Sequence, residues 1–208
     1  MIKEVYFVRH SKTLKVNNDK NIDSLQIQNE KQPLSIEGEN IAREKLNIEE
    51  LKDIDKLYSS SYVRAISTAK YIAENNNIEI NVINDFGERK FGINSWDELP
   101  DNFGEKQFLD ENYKTEFGES QKEVRERTFN ALMNVLKSDD KKIAIVFHGT
   151  AMLFLLMTWC KVVPDSDKYK IFFNGNELLW GKHFDFCETF KLTFNDNKLI
   201  DIKNIKHD

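Results

Sequence analysis

The chain has 208 residues, of which 40% are hydrophobic and 31% charged, so it is long enough for one globular domain with a full-sized core. Its net charge of −5 gives no reason to expect a nucleic-acid or acidic membrane partner, and its longest apolar run, residues 151–160, is too short to span a bilayer. No signal peptide is expected, and Cys160 and Cys187, which lack metal-binding or redox spacing, predict free buried thiols in a cytoplasmic protein.

The first predicted strand leads directly into two candidate functional residues. Residues 5–8 form an apolar run typical of strands that are buried on both faces of a parallel sheet, and Arg9 and His10 follow at its carboxyl end. Residues 11–31 are polar and without periodicity, so we expect a long surface loop there, and residues 11–33 are a candidate lid segment.

The next two predicted helices each follow a polar signal. Ser35 is a suitable N-cap for the first, and Glu37 in its first turn complements the helix dipole. A strand over residues 56–58 leads through three serines into the second helix, which carries Arg64 in its first turn. The apolar residues of this helix recur at the spacing of one buried stripe.

The middle of the chain contains a short strand, an acidic segment and a capped helix. Residues 79–83 alternate like a strand, which ends shortly before Glu88. Residues 93–117 are mixed, partly helical and acidic, and we treat them as a second lid or insert segment. Ser120 and Glu123 form a capping box for the helix that follows.

The last predicted elements are a buried strand, a helix and a hairpin. Residues 143–147 are apolar and deliver His148 into a helix over residues 151–159. Residues 188–194 alternate and turn into residues 198–205 as an antiparallel hairpin. This order predicts an α/β fold in a single domain, a three-layer, doubly wound, mostly parallel sheet with helices on both faces and the hairpin at its edge.

Several predicted strands end at side chains that suit phosphate chemistry. These are Arg9 with His10, Arg64, Glu88 and His148. The carboxyl ends of parallel strands meet at one edge of the sheet, which is where ligands bind in such folds. Arg64 and His148 also lie at predicted helix N-termini, which favour a bound anion. We therefore expect one anion-binding site that gathers these groups.

Six short motifs occur in order along the chain. They are Arg9-His10-x-x-Thr13, Leu34-Ser35-x-x-Gly38, Ser59-Ser60-x-x-x-Arg64-Ala65-x-x-Thr68-Ala69, Glu88-x-x-x-Gly92, Gly118-Glu119-Ser120 and His148-Gly149. Together they resemble the histidine phosphatase superfamily, the phosphoglycerate-mutase-like group, from residue 5 to about residue 160. Six motifs in order are far more specific than any one alone.

The resemblance implies a metal-independent phosphomonoester hydrolase without a cofactor. His10 would attack phosphorus and be transiently phosphorylated, while Arg9 and Arg64 bind phosphoryl oxygens and disfavour protonation of His10. His148 would donate to an equatorial oxygen in the transition state. Glu88 would protonate the leaving oxygen and later accept a proton from water.

The resemblance also implies that Thr13, Asn17 and Gly149 help to bind the phosphate. Many relatives carry an asparagine where this chain has Val16, so either Asn17 takes that role or the contact is lost. The implied partner is a small phosphorylated metabolite or a phosphoprotein. The sequence leaves the oligomeric state open, and it is compatible with a homodimer.

The acidic segment 93–117 bears on the substrate. It contains Lys106 and Lys114 but no arginine, whereas mutases of the family carry a longer insert with basic residues for a second acidic group. Like charges would repel a bisphosphoglycerate, so we hypothesise a monophosphate with a neutral, apolar or cationic leaving group, and Trp96 and Phe103 as wall residues.

Other functions remain open at this point. They are a phosphoglycerate mutase-type phosphotransferase, a phosphoprotein (phosphohistidine) phosphatase and a non-enzymatic phosphate-binding relative. A nucleotide-binding Rossmann domain is excluded because no GxGxxG or GxxxxGK motif follows a predicted strand.

Overall fold

The computed structural model describes residues 1–16, 24–165, 168–181 and 183–206. The strands are β1 (Ile2–Arg9), β2 (Lys56–Ser59), β3 (Ile80–Val82), β4 (Lys142–Phe147), β5 (Lys161–Asp165), β6 (Lys168–Phe173), β7 (Asn176–Gly181), β8 (Thr189–Asn195) and β9 (Lys198–Ile205). The α-helices are α1 (Leu25–Lys31), α2 (Ile36–Lys45), α3 (Val63–Asn76), α4 (Phe103–Leu109), α5 (Gln121–Val135) and α6 (Gly149–Leu156). None of the helices in these ranges combines the length and the apolar character needed to cross a membrane.

The central sheet has six strands in the order β3-β2-β4-β1-β8-β9. Strands β3, β2, β4 and β1 are parallel, whereas β8 pairs antiparallel with β1 and forms a hairpin with β9. The predicted α/β fold, with a mostly parallel sheet and an antiparallel hairpin at its edge, is therefore confirmed.

Helices cover both faces of this sheet. Along β1, Val5 and Phe7 pack into a core with residues of α5 and α6, while Tyr6 and Val8 pack into a second core with residues of α2 and α3. A strand covered on both faces has no polar side, which explains why residues 5–8 are continuously apolar. Burying one such large side chain stabilises the fold by about 1.5–3 kcal/mol.

The segment after β1 is held against the start of α2 by the Ser35-x-x-Gly38 motif. The Ser35 hydroxyl caps α2 by accepting from the Gly38 amide at 3.0 Å, and the Ser35 amide donates to the Lys12 carbonyl at 3.0 Å. A Cβ atom at Gly38 would lie 1.9 Å from that same carbonyl oxygen, so only glycine fits. The motif thus fixes the chain that follows His10.

Two parts of the fold differ from the sequence-based expectation. Residues 25–31, expected as surface loop, form helix α1, which buries none of its residues and therefore shows no apolar periodicity. Strands β5, β6 and β7 form a separate antiparallel sheet that was not predicted. Asn17 lies outside the described residues, as does the rest of 17–23 within the candidate lid.

Candidate active site

The candidate site lies where three neighbouring strands, β2, β4 and β1, end. His10 follows β1 and its amide donates to the Phe147 carbonyl at the end of β4 at 2.9 Å, while the Ser60 amide donates to the Val146 carbonyl at 3.1 Å. These backbone bonds continue the parallel ladders beyond the strands. As a result, the His10 and His148 rings, 138 positions apart in sequence, have centroids 5.3 Å apart.

His10 is buried, with 8% of its surface exposed. Its Nδ1 lies 2.7 Å from the carbonyl oxygen of Ser11, which can only accept, so Nδ1 carries the hydrogen and Nε2 has the free lone pair. Burial, and then the charges of Arg64 and Arg9, lower the pKa of His10 well below its ordinary value of 6.5. His10 is therefore neutral near pH 7, the form in which imidazole is nucleophilic.

His148 is fully buried and is oriented by Ser60. Its Nε2 lies 2.7 Å from the Ser60 hydroxyl, and its ring lies 4.5 Å from that of Tyr62. Burial, then Arg64 and His10, lower its pKa well below 6.5. The Nδ1 atom is buried and has no hydrogen-bond partner within the described residues. A buried ring nitrogen of this kind is available to a bound ligand, since leaving it unpaired costs about 1–3 kcal/mol.

Two arginines lie close to these histidines. Arg9 donates to the Phe184 carbonyl, while its Nε is buried without a partner within the described chain. Arg64 is 4% exposed, donates to the Asn29 carbonyl in α1 and stacks 4.8 Å above the Tyr62 ring. A guanidinium has five N–H donors, more than these bonds use, so both side chains retain donors for an anion.

Glu88 occupies the N-terminus of helix α6. Its carboxylate accepts from the amides of Thr150 at 3.1 Å, Ala151 at 2.9 Å and Arg89 at 2.9 Å. Free amides and the helix dipole favour negative charge at this position. The carboxylate is thereby held at the same helix end that a bound phosphate would approach.

A hollow of about 160 Å³ adjoins Arg9, His10 and Glu88, and we call it the phosphoryl hollow; His148 and Arg64 lie behind it and are not among its lining residues. It is lined by Arg9, His10, Glu88, Gly149, Thr150, Leu153, Tyr169, His183 and Phe184. A Cβ atom at Gly149 would lie 3.4 Å from Nε of Arg9, an ordinary van der Waals distance, so the guanidinium lies directly beside the helix end. A nucleophile, a guanidinium, a carboxylate and a helix N-terminus thus face one small space.

Some of the predicted residues lie elsewhere. Thr13 is half-buried and does not line the phosphoryl hollow; its backbone forms an isolated antiparallel β-bridge with Leu34. Trp96 and Phe103, expected as wall residues, do not line this hollow. Trp96 is 55% exposed and lines a separate surface depression beside α1, and Phe103 is buried against Arg89. Aromatic character alone could not distinguish a wall residue from a core residue.

Sequence reasoning missed three residues of this region. Ser60 was part of a motif but had no assigned role, and its hydroxyl now explains why a serine precedes the helix there. Tyr169 lies on the unpredicted strand β6, and His183 is an exposed residue that follows β7. No motif marks these two positions. Within the described ranges, no group of three or more His, Cys, Asp or Glu side chains could hold a metal ion.

Comparison with known families and sequences gives one match. Residues 5–175 match the model of the histidine phosphatase superfamily (branch 1). A search of curated protein sequences gives no significant match.

Solved structures share this fold at low identity. A mycobacterial glucosyl-3-phosphoglycerate phosphatase is 16% identical with a TM-score of 0.70, covering 98% of this chain and 97% of its own. A Bacillus anthracis phosphoglycerate mutase is 19% identical with a TM-score of 0.67, covering 98% and 92%. The Bacillus stearothermophilus protein YhfR is 18% identical with a TM-score of 0.64, covering 95% and 94%.

Proposed function

The chain belongs to the histidine phosphatase superfamily, and on that premise we propose that it hydrolyses phosphate monoesters through a phosphohistidine on His10, without a metal ion. The observation that carries the proposal is the phosphoryl hollow, which His10, Arg9, Glu88 and Gly149 line together. It combines a neutral nucleophile, fixed positive charge and a carboxyl group in one phosphate-sized space.

The first half of the proposed reaction transfers the phosphoryl group to the enzyme. Nε2 of His10 attacks phosphorus and forms a P–N bond, while the P–O bond to the leaving group breaks. The protonated carboxyl group of Glu88 donates its proton to the leaving oxygen, so an alcohol departs. Arg9 and Arg64 balance the charge of the phosphoryl oxygens, and His148 donates to them as charge develops in the transition state.

The second half regenerates the enzyme. Water attacks phosphorus in line with the P–N bond, Glu88 accepts a proton from this water, and inorganic phosphate leaves with His10 neutral again. The position of Glu88 supports this double role, because its carboxylate shares the helix N-terminus with the substrate anion.

A hydrolase is favoured over a mutase because residues 93–117 contain no arginine that could hold a second acidic group of a phosphoglycerate. A phosphoprotein would need the hollow to admit a side chain carried on a polypeptide, and no described feature favours that substrate. We propose the cytoplasm as the compartment, since Cys160 and Cys187 are both free and buried.

The test is a p-nitrophenyl phosphate assay in EDTA that compares the wild type with His10→Ala, with thermal unfolding as a check of folding. We expect turnover by the wild type, none by the variant, and an acid-labile phosphoenzyme in the wild type alone. Equal activity of the two proteins would refute the assignment of His10 as the nucleophile. If 3-phosphoglycerate is isomerised faster than phosphate is released, the protein is a mutase and not a hydrolase.

A further inference from the structure

A larger cavity adjoins the phosphoryl hollow. It has a volume of about 580 Å³ and shares four lining residues with the hollow, namely Thr150, Leu153, Tyr169 and His183. Its other lining residues are Arg89, Gly104, Glu105, Phe108, Leu109, Phe154, Pro164 and Lys168. We call it the distal cavity. Its volume lies within the range of small-molecule pockets, whereas the phosphoryl hollow is too small to hold more than the reacting group.

Three structural elements build the distal cavity, and they meet at the hollow. Helix α4 supplies Phe108, helix α6 supplies Leu153, and the small sheet supplies Tyr169 from β6. Because Leu153 and Tyr169 line both spaces, a group esterified to a phosphate beside His10 has room to extend from the hollow into the distal cavity.

The wall of the distal cavity is mainly apolar, and its two cationic side chains contact neighbouring residues. The Arg89 guanidinium donates to the side-chain oxygen of Gln107 and stacks 4.4 Å above the Phe91 ring, while its Nε is buried without a partner within the described residues. The Lys168 ammonium lies 4.6 Å from the Trp180 ring. With Glu105, these residues give the lining a formal charge of about +1, counting His183 as neutral. A cationic leaving group, one of the classes that the sequence leaves open, is therefore disfavoured.

We propose that the distal cavity binds the alcohol part of the substrate, and that the preferred substrates are phosphate monoesters of neutral, apolar alcohols. This inference rests on the proposed function. The driving force is removal of the apolar group from water, which should increase with each methylene until the cavity is filled.

A homologous series of n-alkyl phosphates, from ethyl to octyl, tests the inference through kcat/KM. Each buried methylene should raise kcat/KM about fourfold, which makes hexyl phosphate up to about 200-fold better than ethyl phosphate. Phosphocholine and 3-phosphoglycerate, as cationic and anionic comparators, should each be at least about tenfold poorer than hexyl phosphate.

Gly104 allows the cavity to be filled without disturbing the fold. A Cβ atom at this position meets no heavy atom within 4 Å, and the residue lies in helix α4. In Gly104→Leu the added side chain occupies the distal cavity, so the hexyl-to-ethyl ratio of kcat/KM should fall to below about ten. Glu44→Leu, at an exposed position on α2, is the matched control and should keep the wild-type ratio.

The outcomes separate this inference from the proposed function. If no phosphate ester is hydrolysed, the proposed function itself is wrong. If esters are hydrolysed but ethyl and hexyl phosphate differ by less than about threefold, or a comparator is the better substrate, the inference alone is overturned. A ratio that Gly104→Leu leaves unchanged would also overturn it, because the alkyl group would then bind elsewhere.

Discussion

The two buried histidines of the candidate site should make the free energy of unfolding depend on pH. Burial first, and then the charge of Arg64, lower the pKa of both His10 and His148 well below 6.5. In the unfolded chain each pKa returns to about 6.5. Below that pH the unfolded state binds more protons than the folded state. The contribution of the two histidines to the free energy of unfolding is therefore fully present above about pH 6.5 and decreases as the pH falls toward their folded-state pKa values.

The size of this effect follows from the number of groups. Each histidine that stays neutral in the folded state contributes a slope of about 1.4 kcal/mol per pH unit. Between pH 6.5 and pH 5.0 this amounts to at most about 2 kcal/mol for each of His10 and His148, or about 4 kcal/mol for the pair. The carboxyl group of Glu119 does not contribute in this window: burial, the largest single influence, raises its pKa, but the hydrogen bonds and charges of Arg127 and Lys90 together outweigh burial and lower the pKa from 4.5.

Urea unfolding at constant ionic strength, at pH 7.0, 6.0 and 5.0, would measure the slope. We expect His10→Asn and His148→Asn each to lose about half of the wild-type pH dependence between pH 6.5 and 5.0. His183 and His207 are present in all three proteins, so their contributions cancel in the comparison. A wild-type stability that does not change between pH 7.0 and 5.0, or slopes that survive both substitutions, would refute the argument that these imidazoles are buried in the neutral form.

Three further predictions concern activity and folding. Glu88→Gln should lower kcat/KM for alkyl phosphates about 10²–10³-fold but that for p-nitrophenyl phosphate less than tenfold, since nitrophenolate leaves without a proton, and equal losses would contradict proton donation. Ser60→Ala removes the hydroxyl that orients His148 and should lower kcat about tenfold at nearly constant KM, with recovery in Ser60→Thr; a change in KM alone would argue against positioning. In urea unfolding, Gly38→Ala should lower the free energy of unfolding by at least about 1–3 kcal/mol, because its Cβ would lie 1.9 Å from a carbonyl oxygen. Gly104→Ala should instead stabilise α4 slightly, because its Cβ meets no heavy atom within 4 Å. The same effect at both sites would refute the steric argument.

The central sheet could be predicted because each of its strands has a strong local signal. Residues 5–8 and 143–147 are continuously apolar, and both lie in strands buried on two faces. The capping box of Ser120 and Glu123 also forms as expected, with both reciprocal hydrogen bonds present. The small sheet was missed because its strands are mixed: β7 buries none of its residues, and β5 contains Pro164, which usually argues against a strand.

The phosphoryl side of the candidate site was predictable for a related reason. His10 and His148 directly follow apolar strands, and parallel topology brings such positions to one edge of the sheet. The hydrogen bonds could not be predicted. Nothing in the sequence indicates that Glu88 caps helix α6, or that Arg64 is held by the carbonyl of Asn29, because both contacts join segments distant in sequence.

The two sides of the site are held by different parts of the fold, and this has a consequence for specificity. His10 is fixed by a backbone bond that extends the ladder between β1 and β4, and His148 directly follows β4, so their positions depend on the core itself. The distal cavity is instead lined by α4, by α6 and by a separate sheet, with side chains such as Phe108 that are only partly buried. Substitutions there should therefore change which alcohol binds at little cost in folding free energy, whereas substitutions at the histidines affect chemistry and stability together.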